Sequence, residues 1–305
     1  MSEPYRGVFP IAPTPFDDKG ALDLEGQKRV LDCMIDQGVD GICILANYSE
    51  QFLLTDDERD ILLDLCLTHI AGRVPTIVTC SHFSTQIAAD RARRAGEAGA
   101  AMLMLMPPYH GATLRAGEAQ IIEHFSAVAE AGGVPVMIQD APLSGVELSV
   151  PLLVRLAKEI SLVSYFKIEM PMTAAKLRSL TEAGADDIEG PFDGEESITL
   201  LADLNAGATG TMPSALLPDL IKPVLERHRD GNIADASAQY NRILPLINFE
   251  NRQCGLRACK AVMKEGGVIG SDTVRHPLTA LHPATRAELI ALASEFDPIA
   301  LTWGR

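Results

Sequence analysis

Short β-branched or apolar runs bounded by glycine or proline recur through the first two thirds of the chain, each followed by a longer segment with helical apolar spacing. That alternation constrains the fold more than any other feature, because a repeating strand and helix build a parallel sheet covered by helices. The predicted strands are GVFPIAP from Gly7, GICIL from Gly41, PTIVTC from Pro75, AMLMLMP from Ala101, PVMIQD from Pro135, VSYFKIE from Val163, DDIEGP from Asp186 and GATGTMP from Gly207. Between them, LEGQKRVLDCMIDQG, DDERDILLDLCLTHIAG and STQIAADRARRAGEAG carry apolar residues at three-to-four spacing and end in or near glycine. Eight such units, starting roughly 20 to 34 residues apart, fill the length of a (β/α)8 barrel. The competing doubly wound sheet needs G-x-G-x-x-G after its first strand and an acidic ribose partner, and neither is present. The expected fold class is α/β, a (β/α)8 TIM barrel.

After Met212 the strand pattern stops. PDLIKPVLERHRDG serves as the last barrel helix, and NIADASAQYNRILPLINFE, GLRACKAVMKEGG and PATRAELIALASEF read as three more. The chain therefore divides into a catalytic barrel, 1–231, and a C-terminal three-helix extension, 232–305, without linker composition between them. At 305 residues and 47% hydrophobic, it buries a substantial core. Its 41 acidic against 26 basic residues, a net charge of -15, argue against nucleic acid or an anionic membrane as partner. No signal-peptide pattern and no apolar span of about 20 residues is present, so a soluble cytoplasmic protein is expected. Cys33, Cys43, Cys66, Cys80, Cys254 and Cys259 form no C-x-x-C pair and read as small core residues, with neither disulfide nor metal indicated.

In a barrel the reacting groups stand at the carboxyl ends of the strands. Those positions are polar here: Asn47, Tyr48, Ser49 and Glu50 after strand two, Ser81 and His82 after strand three, Tyr109 and His110 after strand four, Gln139 and Asp140 on strand five, Lys167 and Glu169 on strand six, and Asp193, Glu195 and Glu196 after strand seven. Lys167 is the most informative. Lys19, Lys28, Lys158, Lys176, Lys222, Lys260 and Lys264 lie in turns or helical segments where a solvated ammonium is the default, whereas Lys167 sits inside an apolar strand. Burial there supplies the neutral amine that attacks a ketone to form a Schiff base. A structural ion pair with Glu169, on the same strand face, fits the spacing equally well. Glu195-Glu196 reads as the opening of the helix after strand seven, and Tyr109 as a phenol relay or a packing residue. His82 and His110 lack metal-ligand spacing and read as polar rim residues. Gly207-Ala-Thr-Gly210 lets backbone pass close to a pocket.

Taken together, G-V-F-P-I-A-P-T-P-F at the start, Glu50 after strand two, Pro-Tyr-His after strand four, Phe-Lys-Ile-Glu on strand six, Gly-Glu-Glu after strand seven and the helical tail resemble the dihydrodipicolinate synthase / N-acetylneuraminate lyase superfamily over essentially the full length. The resemblance makes Lys167 the Schiff-base lysine, needs no cofactor beyond that covalent link, and implies a homotetramer in which Tyr109 comes from a neighbouring subunit. Where the family usually has G-[ST]-T-G-E, this chain has Ala46-Asn47-Tyr48-Ser49-Glu50, so Asn47, Ser49 and local amides become the holders of the substrate carboxylate. Gln139 replaces the usual relay tyrosine, and an amide cannot shuttle a proton at neutral pH. Nor does an arginine follow in Ala141-Pro-Leu-Ser-Gly145.

Those departures, with the blocks I-L-A-N-Y-S-E-Q-F-L-L, M-P-P-Y-H-G-A-T, Q-D-A-P-L-S-G, Y-F-K-I-E and E-G-P-F-D-G-E-E, look like the branch that dehydrates 2-keto-3-deoxy-L-arabinonate to α-ketoglutarate semialdehyde in pentose catabolism. The implied catalytic set is Lys167, Glu169, Glu196 and Tyr109, with Asn47, Tyr48, Ser49, Gln139, Asp140 and Gly210 lining a small 2-keto-3-deoxy sugar acid. The alternatives are an aldolase that releases pyruvate from a related acid, and a non-catalytic sugar-acid sensor. The retained lysine and two pocket carboxylates, with no appended DNA-binding segment, disfavour the sensor.

Overall fold

A computed structural model describes residues 3–110 and 114–305; Gly111, Ala112 and Thr113 of the M-P-P-Y-H-G-A-T block lie outside the described residues. Strands and helices alternate as expected: β1 Gly7–Val8, α1 Leu24–Asp36, β2 Ile42–Ile44, α2 Asp56–Ile70, β3 Thr76–Thr79, α3 Thr85–Glu97, β4 Met102–Leu105, a hairpin of β5 Tyr109–His110 and β6 Leu114–Arg115, and α4 Glu118–Gly132. The order continues with β7 Val136–Asp140, α5 Val150–Glu159, β8 Val163–Ile168, α6 Thr173–Gly184, β9 Gly190–Asp193, α7 Leu200–Asn205 and β10 Gly210–Thr211. The remainder is helical: α8 Pro218–Arg229, α9 Ile233–Phe249, α10 Arg257–Glu265, α11 Pro283–Ser294 and the short α12 Ile299–Thr302. The hairpin and α12 are additions to the sequence reading.

Two compact units emerge, one of residues 3–7 with Pro75–Met212, the other Val8–Val74 with Pro213–Arg305. In the first, β3, β4, β7, β8, β9 and β10 pair side by side, all parallel. Every residue of β3, β4, β7 and β9 is buried. This is the state of a parallel strand covered on both faces, and it explains why the strands read as continuous apolar runs instead of alternating ones. Helix α3 packs on α4 and α5 on α6. Register aligns Gln139 with Lys167, Lys167 with Phe192, and Phe192 with Gly210, one row of residues across four strands.

In the second unit, Ile11 bridges in parallel to both Cys43 and Ser214. The first strand is shorter than predicted because Pro10 and Pro13 have no N–H to contribute to a ladder. Helix α1 starts on Asp23, whose carboxylate accepts from the Gly26 amide, and α2 on a reciprocal Thr55–Glu58 capping box. Helix α1 packs on α2, α8 on α9, and α10 on α11 and α12. At its end α9 widens into a π turn, Glu250–Cys254. All six cysteines are buried, as expected of small core residues. No helix among the described residues is long and apolar enough to cross a membrane.

Candidate active site

Strand alternation sends Lys167 and Glu169 to one face while Phe166 and Ile168, both fully buried, anchor the other. Lys167 is 1% exposed, and its Nζ meets Glu169 Oε1. From β7, Gln139 Nε2 donates to the same oxygen at 3.0 Å. One carboxylate oxygen thus receives an ammonium and an amide, which offsets part of the cost of burying the lysine. Gln139 is buried as well, and its Oε1 has no hydrogen-bond partner among the described residues. Such an orphaned acceptor is filled in most proteins, and here a ligand hydroxyl can fill it. Beside Glu169 stands Gly194, where a Cβ would lie 2.5 Å from Glu169 Cγ and 2.7 Å from the Ile168 carbonyl oxygen. The glycine leaves the space that the stem of the Glu169 side chain occupies.

The turn after β9 hangs on Asp193. Its fully buried carboxylate accepts from the Glu195 amide at 2.9 Å, the Ser197 amide at 3.0 Å and the Thr211 hydroxyl at 2.5 Å. These three bonds hold Glu196 (φ 55) and Ser197 (φ 66) in consecutive left-handed conformations, which are costly for residues with a Cβ. The expectation that Glu195-Glu196 opens a helix is therefore corrected: α7 begins at Leu200, and Glu196 sits half-buried in the turn. Burial raises Asp193 above the usual carboxylate range, against the pull of Thr211, the two amides and the charge of Lys167. On α7, burial and then the nearby Asp193 push Asp203 up to about 7. Two carboxylates buried together resist ionising together.

Other expected site residues are engaged elsewhere. Asp140 follows Gln139 and so faces the opposite way, where its carboxylate lies 2.6 Å from Lys176 Nζ on α6; Lys176 also donates to the Leu148 carbonyl. Asp140 is thereby taken up by an ion pair between strand and helix, not directed with Gln139, and Lys176 is not the solvated lysine its helical position implied. Gly210 is set by packing, since a Cβ would lie 2.3 Å from the Phe192 ring and 2.7 Å from the Gly7 carbonyl oxygen. Tyr109 stands half-buried on the β5–β6 hairpin, opposite Arg115. His82 Nδ1 accepts from the Ser84 amide at 2.9 Å.

In the second unit, Asn47–Ser49 forms a 3-10 turn ended by Glu50 in the left-handed region (φ 57). Ser49 Oγ donates to the Ala12 carbonyl at 2.6 Å and accepts from the Ala46 amide at 3.1 Å. A hydroxyl has a single proton, so Ser49 shapes the turn and has none left to give a carboxylate. Asn47 Oδ1 accepts from Gln51 Nε2 at 2.7 Å, which turns its Nδ2 outward from that bond. Tyr48 donates its phenol to Asn251 Oδ1 at 3.1 Å. Glu50 pairs with Lys260, both side chains being 0% exposed. Lys260 is therefore a second departure from the solvated-lysine default, and burial lowers its pKa against the opposing pull of Glu50.

Comparison with known proteins places these features in a group. A family model described as the dihydrodipicolinate synthetase family matches residues 4–296. The chain belongs to this family. Similar members include L-2-keto-3-deoxyarabonate dehydratase of Azospirillum brasilense, 59% identical over 299 residues, 98% of this chain and 97% of that protein. The 4-hydroxy-tetrahydrodipicolinate synthase of Acidothermus cellulolyticus is 29% identical over 276 residues, 90% and 87% of the two chains. A solved structure from Pseudomonas aeruginosa is 32% identical with a TM-score of 0.89 over 95% of this chain and 99% of that one. A prophage protein of E. coli K12 from the same family, solved in complex with pyruvate, gives 25%, 0.87, 96% and 99%. The fold is thus the expected (β/α)8 barrel of the dihydrodipicolinate synthetase family.

Within that family fold, Gln139 and Lys167 lie in the last two residues of their strands, and Glu169 immediately after, where barrel enzymes carry their chemistry. Sequence reasoning missed Asp193 as the keystone of the Glu196 turn, Gly194 as the space beside Glu169, and Phe192 beside Lys167. A carboxylate at the end of a strand followed by glycine was the available signal for the first two.

Proposed function

We propose that this enzyme, a lyase, dehydrates 2-keto-3-deoxy-L-arabinonate to α-ketoglutarate semialdehyde through a Schiff base on Lys167. The L-2-keto-3-deoxyarabonate dehydratase of Azospirillum brasilense aligns over nearly the whole of both chains. The observation that carries the mechanism is the buried Lys167–Glu169–Gln139 cluster.

Glu169 takes the proton of the Lys167 ammonium, and the free amine attacks the C2 ketone; loss of one water gives the iminium. A C3 proton is then removed, and its electron pair forms an enamine. The C4–O bond breaks as that pair returns, and the hydroxyl leaves with a proton as a second water. A C5 proton is lost and C3 is protonated, which leaves the C4–C5 enol. Protonation at C4 gives the aldehyde, and hydrolysis with one water frees Lys167, so the net change is loss of one water. Glu169 serves C3, Glu196 supplies the second acid/base group, and Gln139 Oε1 accepts from a substrate hydroxyl without moving a proton. Asn47 Nδ2 and the Asn47 and Tyr48 amides hold the carboxylate, the Ala46, Ser49 and Glu50 amides being spent on bonds within the turn, and Tyr109 is contributed from a second subunit of a homotetramer. The reaction needs no cofactor and takes place in the cytoplasm as a step of pentose catabolism.

Incubation with L-2-keto-3-deoxyarabinonate is expected to yield the semialdehyde, and pyruvate plus borohydride to add mass at Lys167. Pyruvate release from the sugar acid would assign an aldolase instead, and a Lys167→Ala protein with normal turnover would overturn the Schiff base.

A further inference from the structure

We propose that the C-terminal extension is part of the substrate site: Lys260 and Asn251 are positioning residues that hold the Ala46–Glu50 turn in its carboxylate-binding shape. The inference rests on the reading of that turn given under the proposed function.

The turn is gripped at two points by residues far along the chain. At Glu50, Oε1 is fixed by Lys260 Nζ, and Oε2 accepts from the Arg275 amide at 3.1 Å. Lys260 spends a further donor on the Thr273 carbonyl at 2.9 Å, and its Nζ stands 4.3 Å from the centre of the Phe16 ring. The Arg275 guanidinium also stands 4.3 Å from the centre of that ring, and it holds both oxygens of Glu58. At Tyr48, the phenol is held by Asn251, whose own Nδ2 donates to the Ile247 carbonyl at 2.8 Å and so fixes which end of the amide faces Tyr48. Asn251 belongs to the π turn Glu250–Cys254, and the same turn presents Glu250 to the Ser214 hydroxyl. Widening a helix by one residue redirects the side chains at the bulge, a device common at functional sites.

Stability alone does not account for the first grip. A fully buried ion pair is seldom more stabilising than apolar side chains of equal volume, because both charges give up their hydration. What the pair delivers is direction: Glu50 ends the turn in a left-handed conformation, and each of its carboxylate oxygens is fastened separately. The turn closes on itself through backbone bonds and Ser49, whereas the Tyr48 phenol and the Glu50 carboxylate are held by residues of the extension.

Steady-state kinetics on L-2-keto-3-deoxyarabinonate test this in three full-length variants. Lys260→Met with Glu50→Leu replaces the pair by apolar volume but leaves the Arg275 amide and the Thr273 carbonyl without those partners, so its thermal midpoint should fall modestly while the protein stays folded. Its KM should rise about tenfold with kcat within about threefold, the split expected when substrate placement is loosened and the chemistry is intact. Asn251→Ala, which leaves no buried charge behind, should raise KM about threefold. Asn47→Ala tests the reading beneath. A raised KM there with unchanged KM in the other two variants sinks the inference alone; an unchanged KM in Asn47→Ala removes the carboxylate-binding turn and the inference with it. A fall in kcat without a change in KM also counts against the proposal.

Discussion

Glu169 is fastened through one oxygen, Oε1, by Lys167 and Gln139, and the proposed mechanism uses the other for proton transfer. Glu169→Gln keeps the shape and removes the proton transfer. Turnover is expected to fall about 10²–10⁴-fold, while borohydride still traps pyruvate on Lys167; kcat and intact mass measured on one preparation check both halves. Near-normal turnover would move the base elsewhere. At this scale the sequence was legible where a residue type contradicted its surroundings, as a lysine inside Val163–Ile168 does. Lys176 and Lys260 gave no such sign, because a lysine on a helix is solvated unless a carboxylate from a distant segment reaches it. Asp140 and Glu50 do so from other elements.

The elements are joined by buried charge as well as by apolar packing. Asp140 ties the end of β7 to α6 through Lys176, and burial raises the Asp140 carboxyl against the pull of that lysine. Lys176→Met strands the carboxylate, and a loss of about 3–5 kcal/mol is expected. A lower denaturant midpoint with unchanged kcat per folded molecule would show it; Asp140→Leu in the same chain should recover most of the loss. An unchanged midpoint in the single variant would mean that the pair contributes nothing net. Strand positions were legible because parallel strands covered on both faces are continuously apolar. The Glu195–Ser197 turn was not, since consecutive left-handed residues without glycine leave no mark in the sequence when a carboxylate such as Asp193 compels them. The β5–β6 hairpin is too short for a period to show.

Across the whole molecule, buried acids set the pH response. Burial holds Asp203 and Glu250 up to about 7 and Asp219 up to about 6. Each binds its proton more tightly folded than unfolded, so stability is undiminished below about pH 4, falls as the pH rises, and the loss is complete above about pH 7. His124, held by burial down to about 4, acts oppositely and costs stability as the pH drops from about 6.5 to about 4. Three carboxylates outweigh one imidazole, and repulsion within a chain of net charge -15 adds to them on the alkaline side. The calorimetric midpoint is expected to be higher near about pH 5 than near about pH 8, and Asp203→Asn should flatten that slope. An unaltered slope in the variant would remove Asp203 as a contributor.

One compact unit draws its two parts, Val8–Val74 and Pro213–Arg305, from opposite ends of the chain. During synthesis the apolar face of α1, with Val30, Leu31 and Met34, leaves the ribosome long before α10 and α12 exist to complete its unit. At ~5–20 residues per second, the ~220 residues from the end of α1 to the start of α10 take roughly 11 to 44 s. For that interval the nascent chain carries an unfinished hydrophobic surface, a natural client for whichever chaperone waits at the tunnel exit.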